Sequence, residues 1–115
     1  MTDLILPHGG ILVDRMPSTA ERERILKSAS SYRHITVDMA AGSEIEMIAN
    51  GALSPLTGFM NEEQYHAVLN SSRLPDGTLW PVPITLTINQ ETATDLNPGD
   101  SVILADRHGN KLGFM

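Results

Sequence analysis

The sequence predicts a small mixed domain of the α+β class, and three observations carry that expectation. Polar capping patterns open three stretches with apolar residues at helical spacing. From Trp80 to Asn89 the period changes to two, the signature of a half-buried strand. Pro- and Gly-containing turns punctuate the chain, and no apolar run approaches the ~20 residues that span a bilayer.

Each element follows from its own residues. The chain starts extended, with Leu4-Ile5-Leu6 and Ile11 to Arg15 separated by a break at Pro7-His8-Gly9-Gly10. Ser18 as N-cap with Glu21 three residues on predicts a first helix, with Ile25, Leu26, Ala29 and Tyr32 as its apolar stripe. His34 to Asp38 reads as a short strand. Gly42-Ser43 opens a second helix, Ser43 and Glu46 forming its capping box and Ile45, Ile48, Ala49 and Ala52 its buried face. Asn50-Gly51 supplies the left-handed residue that ends it.

Ala52 to Met60 is apolar but broken by Pro55 and Gly58, the pattern of a buried loop. Asn61 with Gln64 starts a third helix carrying Tyr65, Val68 and Leu69, with Met60 placed to pack on Tyr65 as a hydrophobic staple. In the long strand, Trp80, Val82, Ile84, Leu86 and Ile88 alternate with Pro81, Pro83, Thr85, Thr87 and Asn89. Pro81 and Pro83 cannot donate to a ladder, so its first half belongs at an edge. Asn97-Pro98-Gly99-Asp100 suits a type II turn, and Ser101 to Asp106 and Lys111 to Met115 form a hairpin through Arg107-His108-Gly109-Asn110. The last strand stops inside an apolar run, so the chain reads as a fragment.

Composition narrows the chemistry. A chain of 115 residues fits one ordinary domain with a real core. Without cysteine it holds no disulfide framework, thiolate nucleophile or Cys-ligated metal. Fourteen acidic residues against eight Lys plus Arg, a net charge of -6, oppose a nucleic-acid partner. The 4% of aromatic residues offers few stacking platforms for bases. Met1 to Leu6 carries Asp3 and no basic cluster, unlike a secretory signal, so a cytoplasmic location is expected.

No phosphate loop, dinucleotide fingerprint, zinc-protease motif or nucleophile elbow occurs. His8, His34, His66 and His108 are too far apart in sequence for any two to share a helix face as ligands. Four features remain, each with a plain and a functional reading. Pro7-His8-Gly9-Gly10 is a tight turn or a backbone anion nest. Ser54 to Met60 is a packed connection or a ligand loop with two hydroxyls. Trp80 is a core residue or an interface anchor. Arg22 to Arg33 is a solvated helix face, with Glu23 and Lys27 paired, or a phosphate contact. The plain reading is preferred in every case.

Taken in order, several segments resemble the amino-terminal part of the sulfate adenylyltransferases, or ATP sulfurylases. They are Pro7 to Gly10 with Leu12, Val13 and Arg15, then Ile45 to Ala52, then Ser54-Pro55-Leu56-Thr57-Gly58-Phe59-Met60. Tyr65, Val68, Arg73-Leu74 and Gly77 follow, with Trp80-Pro81-Val82-Pro83-Ile84 and the Gly99 to Gly113 hairpin. The resemblance implies a PUA-like, β-rich pseudobarrel with flanking short helices, truncated at its C-terminal end. It also implies a parent enzyme that converts ATP, with magnesium, and sulfate to adenosine 5′-phosphosulfate and pyrophosphate.

In that family the substrates are held in a later nucleotidyltransferase domain by a QxRNxxHxxH-type and a GRD-type motif. Neither occurs here, so no catalytic, cofactor-binding or metal-binding residue is assigned in this chain. Residues 1-115 are therefore expected to be an incomplete structural module, inactive alone. Its partners would be the catalytic domain of its own longer chain and other copies in an oligomer, with no membrane and no nucleic acid. An RNA-binding or protein-interaction module is the alternative.

Overall fold

The structure, a computed structural model, describes residues 4–115. Met1 to Asp3, and with them the Asp3 used against a secretory signal, lie outside the described residues. The chain divides into two compact units, one of Met1–Arg15 with Met47–Leu86 and the other of Met16–Glu46 with Thr87–Met115. A small sheet and its helices make up the second unit; a single apolar cluster holds the first.

In the sheet-bearing unit, helix α1 (Thr19–Lys27) starts at Ser18, whose side chain accepts the Glu21 amide. It ends earlier than the stripe through Tyr32 predicts, because Ser28 closes it and a 3-10 turn, Ala29–Ser31, follows. Tyr32 is thereby freed from the helix and meets Phe114 edge-on, with ring centroids 4.9 Å apart.

Strand β1 (Arg33–Thr36) pairs in parallel with β2 (Val102–Ala105), Ile35 opposite Leu104. Antiparallel β3 (Lys111–Phe114) completes a three-stranded sheet in the order β1-β2-β3. All four β2 residues are buried, as befits a central strand. Its hairpin to β3 turns on Asp106, which accepts the His108 and Asn110 amides. The register slips between Leu104 and Ala105, a bulge that leaves Leu112 without an opposite number. The expected turn at Asn97 to Asp100 is present: Asp100 N–H donates to Asn97 O at 3.0 Å, and Gly99 takes φ +93°.

Helix α2 (Met39–Ala49) begins four residues before the expected Gly42-Ser43 start. Asp38 is the actual cap, accepting the Ala41 amide at 2.8 Å on its side chain and the Gly42 amide on its carbonyl. Ser43 and Glu46 are therefore interior residues and form no capping box. On the side facing β3, a methyl group added to Gly113 would lie 3.2 Å from Ile45, so the glycine lets helix and strand approach. One element has no counterpart among the expectations: helix α4 (Gln90–Thr94), capped by the Asn89 side chain on the Thr92 amide.

The other unit is built on Ile48, Leu56, Val68, Leu74 and Ile84, with Leu53, Phe59, Met60 and Trp80 packed around them. Burying one such aliphatic side chain contributes about 1.5–3 kcal/mol. Helix α3 (Glu62–Ser71) carries the full expected capping box, Asn61 with Gln64, and buries Val68. Leu69, expected on the same face, is 55% exposed. After α3, Ser72 takes a left-handed conformation and a tight hairpin runs through Arg73 and Leu79, with Gly77 at its turn.

The long strand expected over Trp80 to Asn89 does not form. The segment is extended but pairs in no ladder; its backbone bonds are Trp80 N–H to Ser72 O and the Met60 N–H to Ile84 O, both 2.8 Å. Pro81 and Pro83 remove two donors in the first half. The alternation survives only in part: Ile84 is buried and Leu86 and Ile88 are half-buried, but Val82 is 55% exposed. Leu4 to Leu6 also join no strand and stand exposed.

Candidate functional site

The segments that carry the sequence motifs converge within the apolar unit. The Pro7 to Gly10 turn is closed by Gly10 N–H donating to Pro7 O at 2.9 Å, with Gly9 and Gly10 at φ +81° and +92°. Gly9 lies against Pro55: a β-carbon there would stand 3.0 Å from the proline ring. His8 reaches across to bond the Leu79 carbonyl through Nε2, and its ring lies 5.8 Å from that of Trp80. Turn, loop and tryptophan, read separately from the sequence, are thus neighbours.

The Ser54 to Met60 loop is a packed connection, as preferred. Leu56 is 1% exposed, and Phe59 and Met60 seal the core beside it. Of its two hydroxyls only Ser54 is buried, at 4% exposure; Thr57 faces solvent. The Ser54 hydroxyl donates to Gly51 O at 2.7 Å and accepts the Val13 amide at 2.9 Å. Arg15 N–H adds a bond to Ala49 O at the end of α2. The motif residues Val13, Arg15, Gly51 and Ser54 therefore fasten the amino-terminal arm to the turn after α2. Pattern reading missed this, because the partners are far apart in sequence; the Asn50-Gly51 signal marked only the helix end.

Other candidate residues stand apart. The basic stretch of α1 is exposed throughout apart from a half-buried Ile25, and Arg33 pairs with Asp95 at 3.1 Å. His34 bonds Ala29 O, His66 lies 3.6 Å from Glu62 on α3, and His108 occupies the β2–β3 turn. Among the described residues no three His, Cys, Asp or Glu side chains gather as metal ligands, so the residues present do not fit a magnesium ion. A shallow open depression lined by Met60, Asn61, Glu62, Tyr65, Thr85 and Leu86 sits at the start of α3. The Gln64 amide that could have met an anion there is already taken by Asn61, and Glu62 adds negative charge.

Hydrogen bonds set the two perturbed carboxyls. The Thr78 amide holds Asp76 below its ordinary value, and the Asn110 side chain does the same for Asp106. Both lie in turns and explain backbone geometry rather than chemistry. The indole Nε1 of Trp80 is buried with no hydrogen-bond partner. This geometry is that of a structural module: the convergent groups bind one another.

The chain belongs to the PUA-like domain family, whose sequence profile matches residues 5–115. It is similar to named enzymes over almost its whole length. The sulfate adenylyltransferase of Trichormus variabilis is 41% identical over 113 residues, 98% of this chain and 29% of that protein. That of Nostoc punctiforme is 42% identical over the same length and share. Among solved structures, the hexameric APS kinase from Thiobacillus denitrificans matches with a TM-score of 0.87 and 38% identity, over 97% of this chain and 22% of that one. The resemblance drawn from the motifs is borne out, and the chain spans under a third of the length of these relatives. No helix among the described residues is long and apolar enough to cross a membrane.

Proposed function

We propose that this chain is the amino-terminal PUA-like domain of a sulfate adenylyltransferase and serves it as a structural module. Similarity at about 40% identity across the whole chain carries the reading. In the longer protein, ATP and sulfate are converted to adenosine 5′-phosphosulfate and pyrophosphate by a separate catalytic domain. Residues 1-115 are an incomplete portion of a PUA-like pseudobarrel, to which the exposed amino-terminal arm and the extended 80–89 segment contribute. The parent enzyme acts in the cytoplasm, and its catalytic domain and its own further copies are this module's partners; the hexameric state of the Thiobacillus denitrificans relative supports the second.

The module alone is inactive. Holding a triphosphate beside a sulfate dianion calls for clustered cations and donors, whereas this chain has a net charge of -6 and its basic residues are dispersed. A pyrophosphate-release assay on the purified 115 residues, with ATP, magnesium and sulfate, tests this. Background release is expected; sulfate-dependent turnover would overturn the proposal.

A further inference from the structure

His8 is the sole titratable residue between Leu4 and Val13, and it lies in a turn whose other contacts are apolar or backbone. Its Nε2 bonds the Leu79 carbonyl, and its ring sits 5.8 Å from the indole of Trp80, tilted by 44°. The elements around it are short of competing charge. The Ser54 to Met60 loop, which touches the turn at Gly9 through Pro55, carries none. The hairpin that supplies Leu79 carries Arg73 and Asp76. The Arg73 guanidinium donates to Gly77 O, and the Asp76 carboxylate accepts the Thr78 amide. On the arm beyond the turn, the next charges are Asp14 and Arg15.

We propose that His8 is a proton-operated latch, which holds the Pro7 to Gly10 turn more tightly against Leu79 and Trp80 when its imidazole is charged. Histidine is the side chain whose charge changes between about pH 5 and 8. The neutral Nε2–H tautomer already donates to the Leu79 carbonyl. A second proton on Nδ1 makes that bond charge-assisted and places a cation within the ~6 Å range of the indole face. Because His8 is exposed, charging it carries little desolvation cost. Both contacts strengthen in the same direction, so acidification closes the latch and alkalinity loosens it.

Two readouts on the full chain test the latch. Trp80 is the sole tryptophan, so intrinsic fluorescence reports the His8 contact directly. The Gly10 amide, bonded to Pro7 O, reports closure of the turn by hydrogen exchange normalised to the unstructured rate at each pH. Between about pH 7.5 and pH 5, the wild type should lose Trp80 emission with one midpoint and gain about two- to fivefold in Gly10 protection, the size set by an exposed cation–π contact. His8→Gln keeps a donor for the Leu79 carbonyl but does not titrate, and both readouts should be flat. Equal Gly10 protection at the two pH values in the wild type, or matching curves for wild type and His8→Gln, would overturn the proposal.

Discussion

The Ser54 hydroxyl accepts the Val13 amide at 2.9 Å while donating to the Gly51 carbonyl at 2.7 Å. One buried side chain thus satisfies two backbone groups that secondary structure leaves over, on segments forty residues apart. Removing it leaves a donor and an acceptor without partners, which costs far more than an average hydrogen bond contributes.

Ser54→Ala is therefore expected to lower stability by about 1–3 kcal/mol, read as a lower urea midpoint with an unchanged slope. Thr57→Ala, in the same loop but exposed, should fall within about 0.5 kcal/mol of wild type. Equal effects at the two positions would remove the bridge from the account.

Gly51 and Gly77 separate collision from backbone strain. Both have φ near +90°, printed at +89° and +92°. A β-carbon at Gly51 would lie 2.5 Å from the Val13 carbonyl oxygen and 2.6 Å from Leu12, whereas one at Gly77 meets nothing within 4 Å. Gly77→Ala should cost only the left-handed penalty of about 1–2 kcal/mol. Gly51→Ala must also push the amino-terminal arm away, and its thermal midpoint should fall well below that of Gly77→Ala. Coincident midpoints would show that the arm yields freely.

Asp76 and Asp106 make stability depend on acid. Hydrogen bonds from Thr78 and from Asn110 hold their folded carboxyls below the ordinary value of 3.8. The unfolded chain therefore binds protons first as pH falls, so their contribution is full above that value and disappears as pH drops through the lowered folded values. The thermal midpoint should decline below about pH 4, and Asp106→Asn should show a shallower decline than wild type. An identical slope in the variant would rule out Asp106 as a source.

Local chemistry was readable where donor and acceptor are close in sequence. Asn61 with Gln64, Ser18 with Glu21, and Gly99 in its turn all occupy the expected places. Ser43 with Glu46 has the same pattern and fails, because Asp38 offers a cap one turn earlier and Ala40 and Ala41 favour the helix between. Periodicity located the buried side of Ile84 but not its pairing, since a strand needs a neighbour whose amides match and Pro81 and Pro83 supply none. The five-residue α4 is too short to show a period. For the candidate site, the motifs were visible, but their mutual contacts were not: Gly9 with Pro55, His8 with Leu79 and Val13 with Ser54 are long-range pairs.

The parallel pairing of Arg33–Thr36 with Val102–Ala105 also dictates an order of events during translation. Ribosomes add about 5–20 residues per second, so the nascent β1 segment waits several seconds for the strand that will bury Ile35. Met47–Leu86, the stretch made in that interval, can meanwhile gather its own apolar cluster with the amino-terminal arm already synthesised. The basic and polar side chains at Arg33, His34 and Thr36 suit a strand that spends that interval unpaired in water.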